Sequence, residues 1–143
     1  MGYNDLDRFL LEHKDSIEMP DNKPDREVVR DMLTAVGISH ADDLEWYLVT
    51  YGWLSMGSVE LYGMERAGKS DMRDATERLH QDFCMTDGYA VLESLGDGAW
   101  AMCDGHGRVF LFDSDSRAFR DLRSQLWEYI LGRFLGELAE MKT

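Results

Sequence analysis

TDGYAVLESLGDGAWAMCDGHGRVFLFDSD, residues 86–115, is the stretch of the sequence that decides the fold. Three short runs rich in apolar and aromatic residues lie within it, at 89–94, 99–103 and 108–113. The segments between them, Gly-Asp-Gly and Asp-Gly-His-Gly, supply the positive-φ positions that tight turns need. The stretch therefore predicts two consecutive hairpins, which form a three-stranded antiparallel meander at the centre of the domain.

The third run of the meander has apolar side chains on both faces of its strand. Side chains alternate along a strand, so Val109 and Leu111 point away from Phe110 and Phe112. We expect this strand to be covered on both sides by other elements.

Working outward from the meander, helical spacing of apolar residues predicts helices in the N-terminal part of the chain. The first helix covers 4–15, and a loop at 18–23 follows it because prolines interrupt the pattern. The second helix has Asp25 as its cap, carries an apolar stripe that includes Val28, and ends at Gly37.

The segment between the second helix and the meander predicts one more helix, a strand and a polar helix. The helix begins after Ser39 in a capping-box-like pattern and ends at Gly52. Apolar and polar residues then alternate over 59–63, which indicates a strand. Ser70 is the predicted cap of a polar surface helix that runs to Gln81.

After the meander, the sequence predicts a long amphipathic helix that begins at Ser116 and packs on the sheet. Its apolar stripe has spacings of three and four residues. The stripe consists of Phe119, Leu122, Leu126, Ile130 and Phe134. Arg117, Arg120 and Arg123 are expected on the other side of its first turns.

These elements together predict an α+β fold. We expect a single domain over residues 1–143, in which 1–24 form an N-terminal helix and loop leading into it. An antiparallel sheet of about four or more strands is flanked by N-terminal helices and by the long C-terminal helix. The length of 143 residues is sufficient for one domain with a real core.

Charge is the strongest feature of the composition. The chain has 28 acidic and 15 basic residues, a formal net charge of −13. Direct binding to a nucleic-acid backbone is excluded, because it requires a basic surface. The acidic surface has two interpretations: it keeps the protein soluble, or it steers a basic partner.

The chain contains no sequence pattern typical of a membrane span or a secretory signal. We therefore expect a cytoplasmic protein, in which Cys84 and Cys103 are reduced thiols.

No catalytic, cofactor-binding or metal-binding residues are predicted. The four histidines have no zinc-ligand spacing, and Asp104-Gly-His-Gly has too few oxygen ligands for calcium. Gly68-Lys69-Ser70 ends like a phosphate-binding loop but lacks the upstream glycine. An enzyme remains an alternative if the fold gathers Asp104, His106 and other polar groups in a cleft.

The order of elements and three local patterns resemble the SUKH superfamily, the Smi/Knr-like domains. The first pattern is a helix that ends in an aromatic residue and glycine, LEWYLVTYGW at 44–53. The second is a strand followed by an aromatic residue and glycine, Glu60-Leu-Tyr-Gly63. The third is the meander itself, followed by an amphipathic C-terminal helix. The resemblance covers the chain from about Val28 to Leu135.

The resemblance implies a non-enzymatic binding protein. Many bacterial members are immunity proteins that bind and neutralise a cognate toxin, often a nuclease with a basic active-site surface. A protein with a net charge of −13 could occupy such a surface. The alternative is a Smi/Knr-like regulatory or scaffold module with a different protein partner.

The residues predicted to contact the partner are acids of the strand ends and turns, which we expect to be exposed. They are Asp87, Glu93, Asp97, Asp104, Asp113 and Asp115.

Overall fold

The computed structural model of the protein describes residues 2–64 and 71–141. It is an α+β fold with helices on both sides of the main sheet. The helices are α1 (Tyr3–Glu12), α2 (Arg26–Ala35), α3 (Asp42–Tyr51), α4 (Met72–Asp82) and α5 (Leu126–Met141). The strands are β1 (Leu54–Met56), β2 (Val59–Leu61), β3 (Tyr89–Gly96), β4 (Ala99–Asp104), β5 (Arg108–Asp113) and β6 (Ala118–Gln125). No helix in the described ranges combines the length and apolar character needed to cross a membrane.

The main sheet is a four-stranded antiparallel meander in the order β3-β4-β5-β6. Its first three strands are the three predicted runs, and the predicted turns join them. Trp100 pairs with Phe112, and Cys103 pairs with Val109, across β4 and β5. The strand predicted over 59–63 is β2, which forms a separate hairpin with β1.

The first face of the main sheet belongs to the main core. Small and β-branched side chains such as Ala101, Cys103 and Val109 point to this side and are fully buried. The core continues through α1, α2, α3 and the β1–β2 hairpin. Leu126, Ile130 and Phe134 of α5 complete it, as predicted for the second half of the C-terminal stripe.

The second face of the sheet carries a smaller core rich in aromatic rings. Ala75 and Leu79 of α4 pack against Val91 and Met102. Across the rest of this face, Phe112 is buried among rings from several elements. The rings packed around this core are Tyr62, Phe83, Tyr89, Trp100 and Phe119. The expectation that β5 has apolar contacts on both faces is therefore confirmed.

Two glycines that carry the family resemblance are in contact with each other. Gly52 ends α3 with φ 77°, a conformation that favours glycine, as predicted. A Cβ on Gly63 would overlap the carbonyl oxygen of Gly52, so this second position also requires glycine. The close approach is fixed by a hydrogen bond from Met64 N to Gly52 O (3.1 Å). The α3 C-terminus and the end of β2 are thus joined backbone to backbone.

The prediction that a helix begins at Ser116 is wrong. Residues 118–125 form the edge strand β6, and α5 begins only at Leu126. The strand contains an irregularity at Arg123, where φ is 56° and the register with β5 shifts. Phe119 and Leu122 are three residues apart, which imitates helical spacing, but they pack against different cores. Arg117 and Arg120 accordingly lie on a turn and a strand.

Three smaller predictions also differ from the structure. Val28 is 44% exposed and lies outside the buried stripe of α2. The residue before α3 is Ala41, so Ser39 is not its cap. The predicted cap Ser70 lies outside the described residues, and Asp71 accepts a hydrogen bond from Asp74 N (3.0 Å) at the start of α4.

Candidate protein-binding surface

The six predicted contact acids lie in three separate places. The β3–β4 and β5–β6 turns bring one group together at one end of the sheet, which we name the turn end. The opposite end, next to the start of α3, is named the helix end. The turn end has Asp97, Asp113 and Asp115, the helix end has Asp87 and Asp104, and Glu93 lies between them on the first face of the sheet.

Hydrogen bonds of the backbone hold the two turns of the turn end together. Asp97 and Gly98 have φ of 53° and 80°, which are the values of a two-residue type I′ turn. Ser114 N on the neighbouring turn donates to Gly98 O (2.9 Å). Asp113 Oδ1 accepts from Asp115 N (2.9 Å) and fixes the start of its turn. The turn end is therefore a defined arrangement of acids.

Partly exposed apolar side chains also occur near the turn end, where Asp113 lies on the first face of the sheet and Trp100 on the second. Asp97 and Asp115 are exposed, and Asp113 is half-buried. Trp100 is half-buried in the strand between these turns, and Leu95 is 39% exposed beside them. An aromatic side chain near exposed charges is typical of protein interfaces. The sequence predicted the acids but did not single out Trp100, although an aromatic residue two positions after a turn glycine was a usable signal.

The aromatic surface continues from Trp100 along the second face of the sheet. Phe83, in the loop after α4, packs edge-on against Phe112 with ring centroids 5.4 Å apart. The guanidinium carbon of Arg117 lies 5.4 Å from the Phe83 ring centroid, a cation–π distance. Tyr89 reaches across the face and stacks on Phe119 with centroids 4.5 Å apart. These contacts give the aromatic surface a fixed shape.

At the helix end, Asp104 and the neighbouring Asp43 contact the β4–β5 turn and stabilise the fold. Asp104 Oδ1 accepts from His106 N (2.9 Å) and from Arg108 N (3.0 Å), which closes the β4–β5 turn. The carboxylate of Asp43 lies so close to Gly107 that a Cβ there would overlap it. Asp87 is exposed, with its Oδ1 3.8 Å from Nδ1 of His80.

The helix end also contains a cleft of about 240 Å³, lined by His40, Asp42, Asp43, Gly105 and His106. The enzyme alternative requires a polar cleft that gathers Asp104 and His106. This cleft has His106 among its lining residues but not Asp104. Within the described parts of the chain, no three His, Cys, Asp or Glu side chains are arranged to hold a metal ion.

Glu93 is not an exposed acid, so the expectation that it lies on the surface is wrong. Its side chain is on the first face of the sheet under α5, and the residue is only 1% exposed. Arg133 binds both carboxylate oxygens, with Nε–Oε2 2.7 Å and Nη2–Oε1 3.0 Å. Tyr129 donates its hydroxyl to Oε2 (2.5 Å). This bidentate, fully hydrogen-bonded arrangement joins β3 to α5 and leaves the carboxylate inaccessible to a partner.

The groups around Glu93 have shifted pKa values for clear reasons. Burial raises the pKa of Tyr129, and the negative charge and hydrogen bond of Glu93 raise it further. The hydrogen bond from Arg133 to Glu93 raises the pKa of that guanidinium. The phenol is therefore held in its neutral form, as a hydrogen-bond donor, throughout the neutral pH range.

The two cysteines differ in exposure and are not bonded to each other. Cys103 is buried in the main core, and its burial raises the pKa of the thiol well above its ordinary value. A buried, protonated thiol is a poor nucleophile. Cys84 is exposed at the start of the loop after α4.

Residues 4–135 match the family SUKH_5, described as SMI1-KNR4 cell-wall. This range contains all the elements described above except the first residue of α1 and the end of α5. Comparison with curated proteins gives no significant match.

Proposed function

The chain belongs to the SMI1-KNR4 cell-wall family, and from this premise we propose that it is a non-enzymatic protein that binds and neutralises a cognate bacterial toxin. The observation that carries the proposal is the turn end. Three of the six predicted acids lie on the two hydrogen-bonded turns there, at the end of the sheet that also has the half-buried Trp100. The partner is a toxin domain with a basic surface, and the protein acts on it in the cytosol.

Charge supports a basic partner. A formal net charge of −13 produces a negative field around the whole protein, which attracts a basic domain from a distance. Charges on the rim of an interface mainly accelerate association and give it a salt dependence. Asp97 and Asp115 are rim charges of this kind, because both are exposed and their turns are held in place by hydrogen bonds.

Aromatic side chains support a protein rather than a small-molecule partner. Trp100 provides a large, rigid, half-buried side chain near the turn end, of the type enriched in interface hot spots. A nuclease toxin fits this combination best, since its substrate-binding surface has to be basic to hold phosphates. Covering that surface with carboxylates would exclude its substrate.

The test compares two triple variants that carry the same charge. The turn-end variant is Asp97→Asn with Asp113→Asn and Asp115→Asn. The control variant is Asp21→Asn with Asp25→Asn and Glu27→Gln, three exposed positions before and in α2. Each variant changes the net charge from −13 to −10, because three acids are neutralised (−13 + 3). Tagged wild-type and variant proteins are used to purify partners from the native host, and the recovered partner is identified by mass spectrometry.

We expect a stoichiometric partner with a basic domain that inhibits growth when expressed alone and is neutralised by the wild-type protein. The turn-end variant should associate with it on the order of tenfold more slowly at low salt, and with a weaker salt dependence, than the control variant. Equal association rates for the two variants would exclude the turn end as the docking surface. A partner without a basic, growth-inhibiting domain would instead support the regulatory or scaffold alternative.

A further inference from the structure

Helix α1 carries a second apolar feature on its outer side. Its inner stripe, Leu6, Phe9 and Leu10, is buried in the main core. Leu11 points outward and is 72% exposed, the highest exposure of the large apolar side chains in the described part of the chain. An isolated exposed leucine needs no explanation. Leu11 differs because it stands at the edge of an apolar pocket.

The pocket lies between α1, the loop after it and the end of α3. It has a volume of about 450 Å³. Leu10, Leu11, Met19 and Tyr51 provide its apolar lining, and Asp7 and Lys14 are its charged residues. Asp7 is held in position by a hydrogen bond that its Oδ1 accepts from the Tyr51 hydroxyl. This surface thus has an apolar pocket and, next to it, the exposed side chain of Leu11, which is apolar and could fill a pocket of this kind.

The charges at the pocket are arranged symmetrically. Asp7 lies on α1 three residues before Leu10, and Lys14 lies three residues after Leu11 in the short 3-10 turn that follows the helix, so along the sequence they are equally far from the midpoint of the two leucines. When two copies of α1 pack antiparallel about a two-fold axis at that midpoint, Asp7 of each copy lies opposite Lys14 of the other. Leu11 of each copy then faces the pocket of the other. The same surface on two copies can therefore match in both its apolar and its charged groups. A two-fold interface requires such a match, because it uses one surface twice.

We propose that the protein self-associates through this surface as a two-fold dimer of α1 helices, in which Leu11 of each copy occupies the pocket of the other. The surface is formed by residues of α1, the loop after it and α3, and it does not include the acids of the turn end. A dimer of this kind leaves the turn end of each copy available, so dimerisation and toxin binding are separate properties.

The overall charge determines how this dimer responds to salt. Two copies at −13 each repel one another, and the repulsion is screened as ionic strength rises. The small apolar contact is not weakened by salt. Salt also screens the two Asp7–Lys14 pairs, but pairs at an exposed position such as Lys14 contribute little. Self-association should therefore be weak and should become stronger with added salt. Toxin binding at the turn end has the opposite dependence, which allows the two to be told apart.

Sedimentation equilibrium of the full chain tests the proposal. The measurement is made up to about 1 mM protein, the range that detects weak association, at about 0.05 and 0.5 M salt. Leu11→Asp is compared with the control Leu135→Asp, which places the same charge at another leucine, 49% exposed on α5. We expect the wild-type protein and the control to dimerise in high salt, and Leu11→Asp to associate at least tenfold more weakly.

A mixing experiment tests the charged contacts. Asp7→Lys alone places two lysines at the pocket, and Lys14→Asp alone places two aspartates there. Each variant should dimerise more weakly than the wild-type protein, while an equimolar mixture should form the heterodimer, since every lysine then faces an aspartate. Circular dichroism and thermal unfolding show whether Asp7→Lys is folded after it loses the Tyr51 hydrogen bond. If Asp7→Lys is not folded, the comparison of Leu11→Asp with Leu135→Asp tests the proposal by itself.

The proposal is overturned if the wild-type protein is monomeric at the highest concentration in both salts. It is also overturned if the two leucine variants dimerise equally. A protein that stays monomeric by itself but loses a captured partner on Leu11→Asp would assign the pocket to that partner instead.

Discussion

Glu93 lies in the middle of β3 under α5, whereas Asp97, Asp113 and Asp115 lie on the turns at one end of the same sheet. Glu93 is 1% exposed and bound by Arg133 and Tyr129. Among the turn acids, Asp113 accepts a hydrogen bond from Asp115 N within its own turn. The same negative charge thus has two uses, and burial decides which. A buried carboxylate needs a fixed cation and therefore connects elements, while an exposed one is available to a partner.

The largest effect is expected from removing the cation of the buried pair. Arg133→Met leaves the Glu93 carboxylate buried without its charged partner, and we expect the free energy of unfolding to fall by about 3–5 kcal/mol. Denaturant unfolding measures this change. The control Arg120→Met removes an exposed arginine of β6 and should change stability by less than about 0.5 kcal/mol. Equal effects of the two variants would mean that the ion pair does not hold α5 to the sheet.

Two glycine substitutions test Asp43, an acid at the helix end whose burial is intermediate between that of Glu93 and that of the turn acids. Gly107 and Gly96 both have positive φ, 79° and 83°. A Cβ on Gly107 would overlap the Asp43 carboxylate, whereas nothing lies within 4 Å of a Cβ on Gly96. We expect Gly107→Ala to cost about 2–4 kcal/mol and Gly96→Ala about 1 kcal/mol, since only the first adds overlap to backbone strain. Thermal unfolding of both variants measures the difference, and equal costs would argue against a tight contact of Asp43 with the turn.

The pH dependence of Tyr129→Phe tests the phenol beside Glu93. Burial and the Glu93 charge raise the pKa of Tyr129 above its ordinary value of 10.0. A raised pKa in the folded state contributes stability that is complete below pH 10 and is lost as the pH rises further. At neutral pH the loss of the hydrogen bond should cost about 1–3 kcal/mol.

The difference in unfolding free energy between wild type and Tyr129→Phe should then shrink above pH 10 by about 1.4 kcal/mol per pH unit. Urea unfolding from pH 7 to 11 measures both curves. Parallel curves over this range would show that the phenol ionises as easily in the folded protein as in the unfolded one.

The smallest effect on stability is expected at the turn end. Neutralising Asp97, Asp113 and Asp115 to asparagine keeps the side-chain oxygen that accepts from Asp115 N. We expect the free energy of unfolding to change by no more than about 0.5 kcal/mol. Denaturant unfolding measures it under the conditions used for Arg133→Met. If the free energy of unfolding fell by several kcal/mol, these acids would be required for the fold, as Glu93 is, and would not be available to form a binding surface.

The sequence predicted the meander because its signals are local. Asp97-Gly98 is a residue pair that favours a type I′ turn, and the alternation of Val109 to Phe112 fits one strand. Similarly, Gly52 ends α3 where the helical pattern stops. These are properties of a few neighbouring residues, which a sequence displays directly.

The error at Ser116 has a physical cause in the irregular edge strand. Residues three apart lie on opposite faces of any strand, so Phe119 and Leu122 face different cores and yet reproduce a helical spacing. The pairing with β5 also skips Leu122 and Arg123, which leaves the strand without a long regular alternation. A local signal for the true helix start was nevertheless present. The Glu128 side chain accepts from Gln125 N (3.1 Å), half of a capping box that begins the helix at Leu126.

The sequence by itself determined the elements of the meander, the α+β class, the acidity and the family resemblance, because composition and short-range patterns fix them. Only the tertiary structure decided which acids could meet a partner. Glu93 and Asp97 are four residues apart in one hairpin, yet one is enclosed by Arg133, forty residues later in the chain, and the other is exposed. The exposure of a charge depends on which distant element packs over it, and that packing is settled only when the whole core forms.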